Sequence, residues 1–249
     1  TLVVGSANFN GGDGDVRLFR ATTIGGLKAT LVQVTGRTTG ADPDKFGLSV
    51  ALSGNRIVVG APDHTANGDA AVFSYSLATF NQASIIASEV KWTPSGAYSG
   101  VAGDDLGRSV TITQGGVIAV GAPDKGTSTQ GAVILFDSYT DTSGTVIEST
   151  VAPDRLGYAV DASGEWVVAG GNGNGEVQIW RVIGEQRIEQ KISLPTGATA
   201  SFGQAVSIEG NTFVVGDPNA GTSGKVFVYQ LNTTTMQWGL VQSRDINAI

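Results

Sequence analysis

One glycine-punctuated stretch recurs along this 249-residue chain. Its first complete copy runs from Asp44 through Phe46-Gly47 to Gly60-Ala-Pro-Asp63, and related copies occupy residues 104–124, 154–170 and 201–218. Residues 1–7 match only the second half of the unit. The closing glycines lie 55, 61, 49 and 46 residues apart, at Gly5, Gly60, Gly121, Gly170 and Gly216. Such a period predicts a repeat array rather than one or two ordinary domains.

Each unit predicts several short β-strands and no amphipathic helix. Runs of Val, Ile and Ala alternate with Gly, Asn, Asp and Ser clusters, a pattern typical of strands joined by turns. Four strands are expected in each of the segments 41–98, 99–150, 151–197 and 198–249, and three in the partial unit 1–40. Two-residue turns at Gly54-Asn55, Gly115-Gly116 and Gly210-Asn211 favour hairpins between the first and second strands.

Four antiparallel strands repeated about every 50 residues indicate a β-propeller blade. The second strand of each unit is almost wholly apolar, as expected for a strand buried on both faces between neighbouring sheets. The first strand carries small residues where strands would crowd around an axis, at Ser49, Ser109, Ala159 and Ala205. We therefore predict an all-β propeller domain over residues 1–249, with four complete blades and one partial blade.

Composition excludes several classes of partner. The formal net charge of -7 disfavours nonspecific binding to nucleic acid or to an anionic membrane, since both require basic residues, and makes cationic partners the better expectation. No apolar run reaches the roughly 20 residues of a membrane-spanning helix, and there is no cysteine to indicate a redox compartment. Because the sequence opens inside a repeat, we expect that an upstream segment was removed or is not included.

The pairs Phe46-Gly47 and Leu106-Gly107, followed by Gly60-Ala-Pro62 and Gly121-Ala-Pro123, resemble the FG-GAP repeat of integrin α-subunit propellers. The likeness covers nearly the whole chain and is nearest to the calcium-free branch of that family. It implies a propeller, usually of seven blades, in an extracellular or cell-surface module for adhesion or ligand binding. The third complete unit departs from the pattern at Gly170-Gly-Asn172 and the fourth at Gly216-Asp-Pro218.

The loops between first and second strands argue against a metal or other cofactor. Calcium-binding FG-GAP repeats carry an Asp-rich loop there, because a hard cation needs several converging oxygen ligands. Here the loops are short and poor in acids, as in Ser53-Gly-Asn55 and Glu209-Gly-Asn211. The acidic run from Asn8 to Asp15 falls between the second and third strands and is interpreted as a glycine turn.

One face of the disc is predicted to collect acidic side chains. The loop after the second strand should share a face with the turn that precedes the first strand. That face would present Asp42, Asp44, Asp63, Asp104, Asp105, Asp124, Asp154 and Asp217. An alternative is that each Asp before Phe/Leu-Gly only caps a turn through its own side chain. The candidate ligand-binding residues at the loops are Asp63, His64, Asp124, Asn172 and Asp217.

No catalytic set stands out, so we predict a protein that is not an enzyme. His64 is the only histidine and has no nucleophile to pair with. Trp92 and Trp238 lie in outer strands and are expected to be exposed, where they would stack on sugars, whereas Trp166 and Trp180 are expected to pack between blades. Asn232-Thr-Thr234 is a candidate glycosylation site in a surface loop.

Three functions remain open from the sequence. The first is a non-catalytic extracellular module for adhesion or assembly that presents its acidic face to a protein partner. The second is a lectin that uses Trp92 or Trp238 with nearby polar groups. The third is a structural subunit of a cell-surface filament, because the partial blade needs an inner strand from further blades or subunits.

Overall fold

The chain is described here by a computed structural model that covers residues 2–23, 27–34, 45–63, 69–74, 90–92, 103–138, 141 and 143–246. Its strands form five antiparallel sheets, one of three strands and four of four. Strands follow one another across each sheet in sequence order, so each sheet is a meander. These are the blades of an all-β propeller, as the repeat predicted.

The strands of each sheet lie within one of the predicted units. The residues at which one unit ends and the next begins remain predictions. The first sheet contains β1 (Leu2–Ser6), β2 (Asp15–Thr23) and β3 (Leu27–Val34). The second contains β4 (Ser49–Ser53), β5 (Arg56–Ala61), β6 (Asp69–Ser74) and β7 (Val90–Trp92). The third contains β8 (Ser109–Ile112), β9 (Ile118–Ala122), β10 (Ala132–Phe136) and β11 (Thr145–Glu148).

The fourth and fifth sheets repeat the same arrangement with longer outer strands. The fourth contains β12 (Ala159–Ser163), β13 (Trp166–Gly170), β14 (Val177–Ile183) and β15 (Gln186–Ile192). The fifth contains β16 (Ala205–Glu209), β17 (Thr212–Asp217), β18 (Lys225–Asn232) and β19 (Gln237–Asp245). The first strands β4, β8, β12 and β16 lie next to one another and so line the inside of the array.

Hairpins join the first and second strands as predicted. Gly54, Gly164 and Gly210 open two-residue turns with φ of 56°, 59° and 55°, which suits the first central position of a type II′ turn. The third sheet differs from the expectation of a two-residue turn. There the pairing closes at Thr113 and Val117, whose backbones bond at 2.8 Å, so the loop has one residue more.

The core lies between sheets rather than within one of them. This confirms that the second strands β5, β9 and β13 are buried on both faces, whereas the prediction is wrong for β17, whose residues alternate between buried and more exposed because only one of its faces is covered by a described sheet. On β5, Ile57 and Val59 face the first sheet while Val58 faces the third. The interface between the third and fourth sheets is centred on Val133, Leu135 and Trp180. The interface between the fourth and fifth sheets is aromatic, with Phe202, Phe213, Phe227, Tyr229 and the indoles of Trp166 and Trp238.

A backbone contact between glycines recurs at every interface of the array. A Cβ added to Gly121 would lie 2.0 Å from the carbonyl oxygen of Gly157, in the turn of the next sheet. The same distance separates an added Cβ on Gly5, Gly60 and Gly170 from the carbonyl oxygens of Gly47, Gly107 and Gly203. At Gly5, Gly60, Gly121 and Gly170 the closing glycine is therefore required because two backbones touch, whereas an added Cβ on Gly216 meets nothing nearer than the Cβ of Ala205 at 3.4 Å. We call this contact between backbones the glycine lock.

Small residues of the first strands support the lock. The Ser49 hydroxyl donates to the Gly107 carbonyl at 2.8 Å, and the Ser109 hydroxyl donates to the Gly157 carbonyl at 2.8 Å. The corresponding residues of the next two sheets are Ala159 and Ala205. This confirms that the small side chains lie where neighbouring first strands crowd together. Among the described residues no helix is long and apolar enough to cross a membrane.

Candidate functional site

A left-handed turn precedes the first strand of three sheets and points a charged residue away from the sheet. Lys45, Asp105 and Arg155 have φ of 51°, 56° and 57°, a region that non-glycine residues occupy uncommonly. Each turn is closed by a backbone hydrogen bond, as from Arg108 N to Asp105 O at 3.0 Å. We call these segments, which comprise residues 45–48, 104–108 and 154–158, the leading turns. Backbone strain at three repeated positions makes them candidates for a functional surface.

The loops that follow the second strands lie against the leading turns. The backbone N of Asp124 donates to the carbonyl oxygen of Asp104 at 3.3 Å, and that of Asn172 donates to Asp154 at 3.0 Å. The prediction that these two kinds of loop share one face is thus confirmed for the third and fourth sheets.

Five charged side chains from three sheets form a continuous series on this face. Lys45 pairs with Asp63 at 2.7 Å. Arg155, in the leading turn of the fourth sheet, reaches back to Asp124 of the third sheet at 2.6 Å. Asp105 lies between the two pairs and interacts with both Asp63 and Asp124. We call Lys45, Asp63, Asp105, Asp124 and Arg155 the charged row.

Asp105 is the electrostatic centre of the charged row. Partial burial raises the pKa of its carboxyl group above the usual value, and the negative charges of Asp124 and Asp63 raise it further. The nearby cation Arg108 acts in the opposite direction. Asp105 therefore interacts with one carboxylate of its own sheet and one of the preceding sheet, so added positive charge beside it would be stabilising.

An arginine and an aromatic ring extend the charged row at the fourth sheet. Arg108 donates to the Tyr158 hydroxyl at 3.0 Å, and its guanidinium carbon lies 4.8 Å from the centroid of the Tyr158 ring. Arg155 lies 5.6 Å from the same centroid. Cation–π contacts of this kind hold both arginines in place and leave Tyr158 half-buried between them.

The predicted acidic face is wrong for three of its members, which are buried. Asp104 and Asp154 are 1% and 0% exposed, and Asp217 is 0% exposed. Asp217 turns inward because its carboxylate accepts hydrogen bonds from the backbone N and hydroxyl of Thr199, at 2.5 and 2.7 Å. Asp42 and Asp44 lie outside the described residues. Of the acids expected on this face, Asp63, Asp105 and Asp124 reach the surface.

The departures from Gly-Ala-Pro relocate one buried carboxylate. In the fourth sheet Asp154 precedes Leu156-Gly157, and a Cβ on Gly171 would lie 3.0 Å from its Oδ1. In the fifth sheet Ala200 takes the place of Asp154, while Asp217 stands where Gly171 would be. The acid thus moves from the leading turn to the loop after the second strand. The exchange is visible when the sequences of the repeats are compared, but only the structure shows that both carboxylates are buried.

The candidate ligand residues separate into two groups. Asp63 and Asp124 belong to the charged row, with half-exposed carboxylates. Asn172 is half-buried beside Asp154, and Asp217 is buried. His64 and the side chain of Trp92 lie outside the described residues. Asp105, Arg108, Arg155 and Tyr158 were not singled out as ligand residues, although their common position beside Phe/Leu-Gly was available as a signal.

The expectation that Trp238 is exposed is wrong. Its side chain is 4% exposed, because the first residues of β19 fold back onto the interface between the fourth and fifth sheets. The ring packs edge-on against Trp166 at 5.3 Å and against Phe213 at 5.0 Å. A buried indole offers no surface on which a sugar could stack, so Trp238 does not support the lectin hypothesis.

Asn232 is exposed at the end of β18, in keeping with a surface position. Its side-chain oxygen accepts from the backbone N of Thr234 and Thr235, at 3.0 and 3.1 Å. Glycosylation there stays a prediction. Within the described part of the chain, no group of three or more His, Cys, Asp or Glu side chains is arranged to hold a metal ion.

A family model described as FG-GAP repeat matches residues 38–75 and 190–229. The first match spans the leading turn and β4 to β6, and the second spans the end of β15 and most of β16 to β18. The third and fourth sheets lie between the matches and have the same strand order and the same glycine lock. A search of curated proteins found no match.

Proposed function

Because the chain carries FG-GAP repeats folded as propeller blades, we propose that it is a non-catalytic extracellular module that presents the charged row to a protein partner during adhesion or assembly. FG-GAP repeats are typical of cell-surface proteins and of integrin-like binding modules, and their propellers are generally not catalytic. This chain's own contribution is the surface on which recognition would take place.

The observation that carries the proposal is that three sheets, each from a separate repeat, contribute to one series of charges. Arg155 crosses to Asp124 of the preceding sheet, and Asp105 interacts with Asp63 of the sheet before its own. Exposed ion pairs of this kind contribute little to stability, at most about 1 kcal/mol each. Charges that stabilise the fold so weakly are better explained by recognition, where complementary charges set specificity and association rate.

The charges also indicate what the partner carries. Asp105 interacts with Asp124 and Asp63, and its pKa is raised first by partial burial and then by the repulsion of these two negative charges. A Lys or Arg side chain from a partner, placed beside Asp105, would relieve this repulsion. The tyrosine ring held between Arg108 and Arg155 offers an apolar surface next to it. We therefore expect a protein partner with a basic residue at the centre of its contact surface.

Beads coated with the whole chain test this proposal by their attachment to intact cells under flow. Treating the cells with protease should abolish attachment, while removing glycans should not. Asp105→Asn combined with Asp63→Asn should lower attachment about tenfold, as expected when charged contacts central to an interface are removed. Glu209→Gln, an exposed change at the opposite end of the fifth sheet, is the matched control and should bind normally. Attachment that survives the double substitution would refute the proposal.

The same assay distinguishes the lectin alternative. A groove of about 490 Å³ beside β19 is lined by polar side chains, including Gln230, Asn232, Thr235 and Gln237, which suits hydrogen bonding to sugar hydroxyls. Attachment lost after glycan removal and after Gln230→Ala, but unaffected by changes in the charged row, would favour that reading. The filament hypothesis also stays open, because β1 has no inner neighbour among the described strands.

A further inference from the structure

A second carboxylate lies beside buried Asp154, at the connection between the third and fourth sheets. Ser149 follows β11, Asp154 belongs to the leading turn of the fourth sheet, and Glu176 precedes β14. The Ser149 hydroxyl donates to Glu176 Oε2 at 3.2 Å, and the backbone N of Val151 donates to the Ser149 hydroxyl at 3.1 Å. The two acids and the connecting segment 149–154 therefore form one polar junction.

The two carboxylates of the junction are unequally satisfied. Glu176 Oε1 is paired with Lys191 Nζ at 3.2 Å and accepts a hydrogen bond from Gln178, while Oε2 accepts from Ser149. Asp154 lies beside Ser149 and Glu176 with 0% exposure, yet no donor among the described residues meets either of its oxygens at hydrogen-bond geometry. A buried carboxylate without donors is costly when ionised.

The fifth sheet provides an internal comparison. Asp217 is just as buried, but it accepts from Thr199 and from the backbone N of Asn219, so its negative charge is solvated by donors. Asp154 instead has an anionic neighbour, and the one nearby cation of the junction, Lys191, is paired with Glu176. The group that satisfies Asp154 most simply is a proton shared with Glu176.

We propose that Asp154 and Glu176 share one proton and that loss of this proton loosens segment 149–154, so that the connection between the third and fourth sheets responds to pH. Val151 and Pro153 of this segment are exposed, whereas Asp154 is buried. Loosening would break the hydrogen bond from Ser149 to Glu176 and widen the surface groove of about 280 Å³ that is lined by Val151, Glu176 and Leu194.

The direction of the pH effect follows from the two carboxyl groups. Burial is the main cause that raises the pKa of Asp154, to about 7. Proximity to the Ser149 hydroxyl, whose proton is donated to Glu176, lowers this pKa, and the negative charge of Glu176 raises it further. A raised pKa means that the folded chain binds the proton more tightly than the unfolded chain, so stability is present at low pH and is lost as pH rises toward 7. Burial opposes the charged form of Glu176, but hydrogen bonds from Gln178 and from the proton of Asp154 outweigh it and lower the pKa of Glu176. The stability that Glu176 contributes is therefore present above its ordinary pKa and is lost only as pH falls below it, outside the range between pH 5 and pH 8.

The test compares wild type with Asp154→Asn and with the control Asp217→Asn, using urea unfolding and amide hydrogen exchange at pH 5 and pH 8. From pH 5 to pH 8 the unfolding constant of wild type should rise about 100-fold more than that of Asp154→Asn, given pKa values of about 7 folded and 3.8 unfolded. The protection factors of the backbone amides at residues 149–152, at Asp154 and at Asn172, which correct for the intrinsic rise of exchange with pH, should fall over the same range in wild type only. Asp217→Asn replaces a carboxylate that accepts hydrogen bonds from Thr199 and Asn219, so this variant should be less stable than wild type. Its stability should depend on pH in the same way as that of wild type.

Equal pH dependence in wild type and Asp154→Asn would overturn the proposal. If Asp154→Asn does not fold, Glu176→Gln removes the second carboxylate of the pair and should weaken the pH dependence, while burial of Asp154 maintains the rest of it; a pH dependence equal to that of wild type would overturn the proposal. Calcium or manganese added at pH 8 tests the competing occupant. If either ion restores slow exchange in wild type but not in Asp154→Asn, the pair holds a cation instead of a proton, and the proposal is wrong.

Discussion

Substituting alanine at Gly121 tests the glycine lock most directly. The new Cβ would lie 2.0 Å from the Gly157 carbonyl oxygen and 2.4 Å from the Ser109 hydroxyl, whereas ordinary contact begins at 3.4 Å. The third and fourth sheets must therefore separate locally by about 1.4 Å, the difference between 3.4 and 2.0 Å. The nearest atom belongs to the backbone of Gly157, so rotation of a side chain cannot relieve the contact.

The expected loss of stability follows from three contributions. Overpacking of a close-packed site costs about 1–3 kcal/mol. Separation also breaks the hydrogen bond from Ser109 to Gly157, with a net value of about 1 kcal/mol. Alanine reduces the conformational entropy of the unfolded chain relative to glycine, which stabilises the folded state by about 0.4–1 kcal/mol. Gly121→Ala should therefore lower the free energy of unfolding by about 1–3.5 kcal/mol.

Gly216 supplies a matched control at the same position of the fifth sheet. An added Cβ there meets nothing nearer than the Cβ of Ala205, at 3.4 Å, because no sheet follows β17 on that side among the described residues. Gly216→Ala should leave stability unchanged or raise it by up to about 1 kcal/mol. Urea unfolding followed by the fluorescence of buried Trp180 measures both variants. Equal losses in the two, or a Gly121→Ala protein as stable as wild type, would refute the lock.

Two further predictions use the same unfolding assay. Ser109→Ala should cost about 1 kcal/mol through its lost hydrogen bond, and a change within error would show that the hydroxyl adds nothing to the lock. Trp238→Ala should cost about 3–5 kcal/mol, because the indole packs against Trp166 and Phe213. A Trp238→Ala protein with wild-type stability but weakened glycan binding would restore the expectation that this side chain is exposed.

Local patterns explain why the strands and hairpins could be predicted. Type II′ turns need glycine at the first central position, so Gly54, Gly164 and Gly210 mark the hairpins directly. Runs such as Ile57 to Val59 are apolar at every position because both faces of β5 are covered. These signals act between residues close in sequence, so no knowledge of the packed array is needed to interpret them.

The candidate site was harder to predict because it depends on contacts between sheets. Asp154 and Asp217 belong to a residue type that is mostly exposed, and nothing local distinguishes a buried carboxylate from a surface one. Trp238 lies in β19 between Gln237 and Gly239, and these neighbours do not reveal which face of the strand another sheet will cover. The crossing of Arg155 to Asp124 joins residues 31 positions apart and appears only once neighbouring sheets are placed.

The touching glycines also act as a spacer of fixed thickness near the hub. Because backbone atoms of neighbouring sheets are in direct contact there, the distance between these sheets does not depend on the size of any side chain. The aliphatic filling around Ile118 and Ile134 and the aromatic filling around Phe213 and Tyr229 occur behind the same spacer. Side-chain volume can therefore vary freely only farther out along the blade, so repeats that have diverged widely in sequence still stack at a common pitch.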